Sequence, residues 1–245
     1  MRMTLLASMV MLSLSSCKKY KEVQEESLPV KLLVRAIQVQ GGTTSFTTYT
    51  YDNQRRLKTI KETYGTRTYT YDGKDLSAME IGPAKITISF TNGRPTKATT
   101  TFPDKTITTG YLYDGDQVSE THETQSGIVV NLVKYTYANH NIIKTTSDFG
   151  QGLVIEDIKY GTKKNRFFNA SLKYVIGIEG GLDRYSANEV LESKVSYDNG
   201  SFLTTKNIYT YDSDGFPFTL VSTFKDASER QVGEAKYTFE YEMFK

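Results

Sequence analysis

Aromatic and polar side chains alternate along most of this chain. The tetrapeptide Tyr-Thr-Tyr-Asp occupies residues 49–52, and near copies begin at Tyr69, Tyr111, Tyr135 and Tyr209. Residues i and i+2 of an extended strand point to the same face, so the paired tyrosines share one face and the residue between them takes the other. Asp, Asn or Gly follows where the alternation stops, and these residue types close tight turns. Each copy therefore predicts a β-hairpin.

The hairpin signals recur at a spacing of roughly 20 to 24 residues, which is typical of repeat architectures. They fall at Asp52, Asp72, Asn92, Asp114, Ala138 and Gly161. One unit holds two strands and two turns, and short loops between successive strands give an antiparallel up-and-down meander. About fourteen to sixteen strands fit into residues 30–245, more than an open twisted sheet usually carries without curling. The sequence therefore predicts a single all-β domain whose sheet is strongly curved or closed.

The repeat breaks near residues 162–188, where we expect one short irregular or helical interruption. Residues 163–172 have weak helical spacing, and three glycines between residues 177 and 181 indicate a loop. Non-repeating insertions in a regular array often carry function. Two interpretations stay open, because the aromatic side chains here either plug one end of the barrel or form a surface for a ligand or partner. The candidate residues are Phe167, Phe168, Tyr174 and Tyr185.

The amino terminus has the pattern of an export signal. Arg2 precedes an apolar run at residues 5–12, which is too short to span a bilayer and fits the hydrophobic region of a signal peptide. Leu-Ser-Ser-Cys at residues 14–17 resembles a bacterial lipobox, whose cysteine is acylated and becomes the first residue after cleavage. The alternative is an ordinary secretory signal with an incidental cysteine. We expect a signal peptide at 1–16 and a lipidated, flexible tether at 17–29.

Cys17 is the only cysteine, so a lipid on its sulfur, palmitate included, leaves no disulfide in the mature protein. Several acyl chains on one cysteine anchor a protein stably. By resemblance to enteric lipoproteins, Lys18 in place of an aspartate points to the outer membrane rather than the inner one. The sequence leaves open whether the domain faces the periplasm or the outside. The expected location is the cell envelope, with outer-membrane lipid as a partner through acylated Cys17.

The strands themselves predict a soluble barrel rather than one embedded in lipid. Residues 43–51 and 96–102 put mainly Thr, Ser or Lys on at least one face, whereas a lipid-facing strand needs a continuous apolar face. The last strand alternates Tyr237, Phe239 and Tyr241 with polar residues. Net charge is +2, from 30 basic and 28 acidic residues, so no concentrated basic face is expected and no nucleic-acid partner either.

Candidate catalytic and metal-binding chemistry is sparse. His122 and His140 are the only histidines, and no second ligand stands at metal-binding spacing. Aspartates at 114–116 and 212–214 hint at calcium loops but lack a distal glutamate, so turn formation explains them better. No activated serine motif is present. We therefore expect no metal, no cofactor and no enzyme activity, although a carboxylate pair for glycoside hydrolysis depends on the fold and stays open.

Residues 51–57 resemble the tyrosine-aspartate (YD) repeat of Rhs-type proteins, Tyr-x-Tyr-Asp-x-x-Gly-Arg-Leu. Arg55 stands where that motif has glycine, and only residues 92–94 keep a Gly-Arg pair. A lipobox followed by degenerate YD hairpins and a closing Tyr-Thr-Tyr-Asp-x-Asp-Gly-Phe-Pro is similar to uncharacterised lipoproteins of the Bacteroides group. That resemblance covers most of residues 31–245 and implies a porin-like β fold with no assigned activity.

We rank three functions on these grounds. The first is a non-catalytic, outer-membrane-anchored β domain that serves the cell envelope as a structural or interaction module. The second is a lipoprotein that binds a glycan or small ligand at the barrel mouth and the interruption. The third and weakest is a hydrolase. We interpret the tyrosine face as sheet-stabilising cross-strand pairs, with stacking on sugars as the alternative.

Overall fold

The computed structural model describes residues 29–150, 152–168 and 186–244. The predicted signal peptide and tether, with Cys17, lie outside the described residues, as do Tyr174 and Tyr185. The described residues form sixteen strands and no helix. The strands are β1 (Val30–Gln40), β2 (Thr43–Tyr51), β3 (Leu57–Glu62), β4 (Gly65–Asp72), β5 (Asp75–Ile81), β6 (Ala84–Thr91), β7 (Arg94–Thr101), β8 (Thr106–Asp114), β9 (Gln117–Gln125), β10 (Ile128–Ala138), β11 (Asn141–Asp148), β12 (Leu153–Lys164), β13 (Asn188–Tyr197), β14 (Phe202–Tyr211), β15 (Pro217–Lys225) and β16 (Gln231–Phe244).

The sheet closes into a barrel. Each strand pairs antiparallel with its neighbours in the chain, and β1 pairs with β16 from Val30 opposite Phe244 to Gln40 opposite Ala235. Closure leaves no sheet edge exposed to pair with another chain. The predicted all-β meander of about fourteen to sixteen strands is confirmed, and the sheet is closed rather than merely curved.

The first residues of the interruption do not form the helix that the spacing of residues 163–172 suggests. Lys164 still pairs with Asn188 across β12 and β13, and residues 166–168 form a turn. Strand pairing already uses the backbone groups that a helix would need at residues 163–164, and a turn follows, so the described part of the expected irregular or helical interruption is irregular rather than helical. The remainder of the predicted segment, up to residue 185, lies outside the described residues.

The barrel has two distinct ends. We call the end that carries the turns after the even-numbered strands the tyrosine end, because the repeated tyrosines lie there. The β12–β13 connection and both described termini, near Val30 and Phe244, lie at the same end. The turns after the odd-numbered strands make up the opposite end.

Apolar side chains make up most of the buried interior, while the outer face carries polar side chains together with several exposed hydrophobic ones. In β6, Ala84, Ile86 and Ile88 are buried while Lys85, Thr87 and Ser89 between them are exposed. Leu57, Ile60, Met79 and Ile142 are fully buried in the same core. Among the described residues, no helix has the length and apolar character needed to cross a bilayer.

Candidate functional site

Tyrosine hydroxyls at the tyrosine end bind backbone carbonyls of the preceding strand. Seven even-numbered strands carry such a bond, with oxygen–oxygen distances of 2.7 to 3.1 Å. The donor and acceptor pairs are Tyr51 with Leu33, Tyr71 with Leu57, Tyr113 with Pro95, Tyr137 with Val118, Tyr160 with Ile142, Tyr209 with Val190 and Tyr241 with Pro217. The remaining even strand, β6, has Phe90 at the matching position.

These carbonyls lie where the strand pairing stops. The β3–β4 ladder runs only to Thr59 opposite Thr68, two residues short of Leu57. The β7–β8 ladder likewise ends at Lys97, two residues short of Pro95. A buried carbonyl without a partner is costly, so the hydroxyl supplies the hydrogen bond that the ladder no longer provides. The repeated tyrosine thus holds neighbouring hairpins together at this end.

The tyrosine rings are part of the core. Tyr49, Tyr69 and Tyr111 are buried, and Tyr51 and Tyr71 pack against the same cluster. Burial raises the pKa of the Tyr51 hydroxyl far above its ordinary value. A row of exposed rings, which stacking on sugars would need, is therefore absent among these five tyrosines.

The aspartates after the tyrosines organise the turns. Asp52 Oδ1 accepts hydrogen bonds from the amides of Gln54 and Arg56, both at 2.9 Å. Arg55 adopts a left-handed φ of 63°, so it takes the backbone conformation of the glycine it replaces in the YD motif. Partial burial works to raise the pKa of Asp52, but hydrogen bonds from Arg56 outweigh that effect and hold the pKa below its ordinary value.

The aspartates that hinted at calcium are engaged with protein groups. Asp212 accepts the amides of Asp214 and Phe216 at 2.9 Å, and its other oxygen binds Lys31 at 2.6 Å. Asp116 forms an ion pair with Arg94. Among the described residues, no group of three or more His, Cys, Asp or Glu side chains gathers as a metal site.

The two histidines lie in different surroundings. His122 on β9 stands opposite Gly110 on β8, where a Cβ at residue 110 would clash with the imidazole. The ring therefore covers the glycine backbone. His140 lies exposed in the β10–β11 turn with a φ of 62°. Neither position gives a histidine a catalytic partner.

The two phenylalanines of the candidate surface lie in different environments. Phe167 is 4% exposed and meets Tyr49 edge to face, with ring centroids 5.6 Å apart, inside the barrel. The Asn165 side chain fixes this turn by accepting the Phe167 amide. Phe168 is 49% exposed, and the Lys164 ammonium lies 5.4 Å from its ring centroid. The structure therefore separates these neighbours, since one packs in the core and the other faces solvent.

A cavity of about 400 Å³ lies inside the barrel between β12 and β16. Its apolar wall includes Ile158, Leu220 and Phe224. Sequence reasoning missed this cavity, although its signal is present, because Asn207 and Ser222 are polar residues in phase with inward-facing Tyr209 and Leu220. The polar side chains lining it include Glu156, Asn165, Arg166, Glu189, Ser193, Thr205, Asn207 and Ser222.

Part of the polar wall is already hydrogen bonded. Ser222 Oγ donates to Asn207 Oδ1 at 2.7 Å, and Asn207 Nδ2 donates to the Val190 carbonyl at 2.8 Å. Burial raises the pKa of Glu156, and a hydrogen bond with Ser193 opposes the rise only in part. This side of the barrel interior therefore combines a fixed amide network with a carboxyl whose pKa is raised by burial.

Glu189 is the most deeply buried carboxylate of the cavity wall, at 3% exposure. Its Oε1 accepts a hydrogen bond from the Tyr211 hydroxyl at 2.9 Å, while its buried Oε2 accepts none from any described residue. The carboxylate packs over Gly161, where any Cβ would clash with it. Arg166 lines the same wall, with its guanidinium 5.1 and 5.2 Å from the ring centroids of Phe167 and Phe239.

Two solved structures share the architecture. The crystal structure of a porin-like protein from Bacteroides uniformis ATCC 8492 matches with a TM-score of 0.62 at 13% sequence identity, over 86% of this chain and 96% of that chain. A porin-like protein from Bacteroides vulgatus ATCC 8482 matches with a TM-score of 0.57 at 11% identity, over 87% of this chain and 99% of that one. Neither protein-family models nor curated proteins give a match. At these identities the likeness shows the fold, and the expected porin-like β-barrel is confirmed.

Proposed function

We propose that this protein is a non-catalytic lipoprotein of the outer membrane, anchored through acylated Cys17, whose barrel stands in water as a structural or interaction module of the envelope. The observation that carries this proposal is the direction of the barrel's amphipathicity. Apolar side chains make up most of the buried interior, and on the exterior charged side chains stand among exposed hydrophobic ones. A barrel that spans a membrane has the reverse arrangement on its outer face.

The exterior carries charge on strands all around the barrel. A charged side chain on the lipid face near the bilayer midplane costs about 2 to 4 kcal/mol for Lys or Arg, so a set of this size opposes insertion. The exposed outward charges include Lys61, Glu80, Lys85, Lys97, Lys134, Asp157, Lys194, Lys206 and Lys236. A lipid tether then supplies the membrane attachment that the barrel surface does not.

The geometry of the described termini supports a defined orientation. Val30 lies at the tyrosine end, so a tether formed by residues 17–29 would leave the barrel there. Thirteen extended residues reach at most about 45 Å. The tyrosine end, with its short aspartate turns, would therefore face the membrane, and the opposite end would point away from it.

The interior carboxylates argue against a glycosidase. Glu156 stands five residues before Gly161 on β12, and Glu189 packs over Gly161. At about 3.3 Å per residue, these positions are roughly 17 Å apart along the strand. Acid and base carboxyls of glycoside hydrolases stand about 5 to 9.5 Å apart. The spacing of these backbone positions therefore gives no support for such a carboxyl pair.

Fractionation of cells that express the full chain tests the anchoring. We expect the wild-type protein in the outer-membrane fraction, released by detergent, and Cys17→Ala in the soluble fraction or as uncleaved precursor. Met11→Ala, a change within the apolar run, serves as the matched control and should behave as wild type. A Cys17→Ala protein that is processed and still needs detergent for release would show that the barrel itself inserts into lipid. Protease treatment of intact cells then decides between the periplasmic and the outer face.

The cavity favours a second candidate function, the binding of a small ligand. Ligand sites are concave, mostly apolar and furnished with a few oriented polar groups, and they occur in the interiors of barrels. The space between β12 and β16 is concave and lies in a barrel interior, and its lining combines apolar side chains with oriented polar ones in nearly equal parts. This candidate places the ligand inside the barrel, next to the β12–β13 connection, rather than on exposed aromatic rings. Partners of the first function, such as a glycan or an envelope protein, would instead contact the outer surface.

A further inference from the structure

We propose that the cavity between β12 and β16 binds an elongated aliphatic amine, with an ammonium group held by the Glu189 carboxylate. This proposal deepens the second candidate function and is independent of the lipid anchor. It joins three features of the cavity: the incomplete hydrogen bonding of Glu189, the position of Glu156 along the same strand, and the apolar part of the wall.

The first step concerns Glu189. Removal of a carboxylate from water is expensive unless hydrogen bonds or an opposite charge compensate it. Tyr211 provides one hydrogen bond to Oε1, and Oε2 receives none from the described residues although it is buried. A ligand that presents N–H donors and a positive charge to Oε2 would supply what this group lacks.

The second step concerns shape. Glu156 lines the cavity at a position roughly 17 Å from Gly161 along β12, on a rise of about 3.3 Å per residue. Ile158 and Leu220 line the wall of the same cavity and are both buried. The wall of the cavity therefore carries two glutamates, with hydrocarbon side chains as well as the polar side chains of Ser193, Asn207 and Ser222 around them. A linear diamine carries a cation at each end of a methylene chain, so it can address both glutamates and the apolar part of the wall.

The third step compares the main competing ligands. A sugar needs many free donors and acceptors, but Ser222 already donates to Asn207, and Asn207 donates to the Val190 carbonyl. An anion would meet two carboxyl side chains. Arg166 does lie in the wall, but its guanidinium packs over two phenylalanine rings. The balance of oriented groups in the cavity therefore favours a cationic ligand.

Isothermal titration of the purified full chain in neutral detergent tests this proposal, with 1,8-diaminooctane as the probe and 1,8-octanediol as its uncharged counterpart. We expect saturable binding of the diamine and none of the diol. Glu189→Gln keeps the size of the side chain and removes its charge, so affinity should fall about tenfold or more, as expected for a lost charged hydrogen bond. Glu156→Gln should weaken the binding of the diamine but leave the affinity for 1-aminooctane unchanged, because the monoamine has only one cation, which Glu189 holds.

Glu80→Gln is the matched control, because Glu80 is an exposed carboxylate on β5, away from the cavity, and its loss should not change affinity. Unfolding midpoints of all variants establish that each one folds. Equal binding of diol and diamine, equal binding by wild type and Glu189→Gln, or no binding of the diamine by wild type would each overturn the proposal. If Glu189→Gln does not fold, the comparison of diol with diamine on wild type decides alone. None of these results changes the outcome of the Cys17→Ala fractionation, so the two proposals fail separately.

Discussion

The two sides of the barrel share one backbone plan but differ in what they bury. On β1 to β7 the interior is apolar, with Leu57, Ile60, Met79 and Ile86 almost fully buried. On β12 to β16 the interior holds a cavity lined by Glu156, Glu189, Ser193, Asn207 and Ser222. We call these the packed side and the cavity side.

The buried polar residues are also distributed unevenly around the barrel. Every buried polar or charged residue that the structure describes lies at Thr109 or later in the chain. The hairpins, aspartate turns and tyrosine bonds nevertheless continue around both sides. Closing the barrel therefore does not require the polar interior. Asn165, Ser186, Glu189, Thr204 and Ser222 belong to the cavity side, and none of the described buried polar residues lies on β1 to β7. Since polar groups are costly to bury, an apolar filling like that of β1 to β7 would stabilise the cavity side more.

The largest expected effect is a loss of core packing on the packed side. Ile60→Ala should lower the free energy of unfolding by about 2 to 5 kcal/mol, because it removes fully buried methyl and methylene groups. Ser222→Ala on the cavity side should cost about 1 kcal/mol or less, since it removes one hydrogen bond beside a cavity. Denaturant unfolding measures both. If Ile60→Ala and Ser222→Ala lower the free energy of unfolding equally, the two sides are packed alike.

The tyrosine bonds should be equivalent on both sides. Tyr71→Phe and Tyr241→Phe each leave a backbone carbonyl without its hydroxyl partner and should each cost about 1 to 2 kcal/mol. Phe90→Tyr is the reciprocal change, because β6 has no hydroxyl at this position, and it should stabilise the barrel or leave it unchanged. The same unfolding experiment applies. If Tyr71→Phe lowers the free energy of unfolding and Tyr241→Phe does not, the hydrogen bond stabilises the barrel only on the packed side.

Acid unfolding should depend on the aspartate turns of both sides. The pKa values of Asp52 and Asp212 are below the ordinary value in the folded protein, because hydrogen bonds from Arg56 and Lys31 outweigh partial burial. Their stabilisation is thus complete above the unfolded pKa, about 3.9, and is lost as pH falls through the lower folded pKa. Asp52→Asn and Asp212→Asn should each flatten the decline of the melting temperature below about pH 4. If the melting temperature of each variant falls with pH as steeply as that of the wild type, the aspartate turns do not contribute to the acid unfolding.

The smallest effect concerns two equivalent turn residues. Arg55 and Gly215 both have a left-handed φ, 63° and 79°, and each follows its aspartate by three positions. Arg55→Gly removes a steric cost of about 1 to 2 kcal/mol, offset by the greater freedom of glycine in the unfolded chain, so a gain below about 1 kcal/mol is expected. Gly215→Arg should give a loss of similar size. A loss of stability in Arg55→Gly would show that the Arg55 side-chain contacts outweigh its backbone strain.

Much of the fold was predictable from local pattern. Tyr-x-Tyr alternation and the Asp or Gly turns specify hairpins over short distances, so strand number and the antiparallel meander followed from the sequence. The interruption was harder, because the helical spacing of residues 163–172 competed with a pairing between Lys164 and Asn188 that spans a long stretch of chain. The prediction of lipid attachment at Cys17 rests on the sequence alone. The candidate surface was only partly located, since Tyr174 and Tyr185 lie outside the described residues.

The sequence by itself determined which residues pair, turn and point to the same face, because strand periodicity and turn chemistry are properties of a few neighbouring residues. Only the tertiary structure decided that the sheet closes, that the repeated hydroxyls reach carbonyls where the ladders end, and that Glu156 and Glu189 line one cavity. These features depend on the curvature of the whole sheet, which brings together residues far apart in the chain. Local pattern therefore predicts the strands, while closure of the barrel creates the cavity in which we place the ligand.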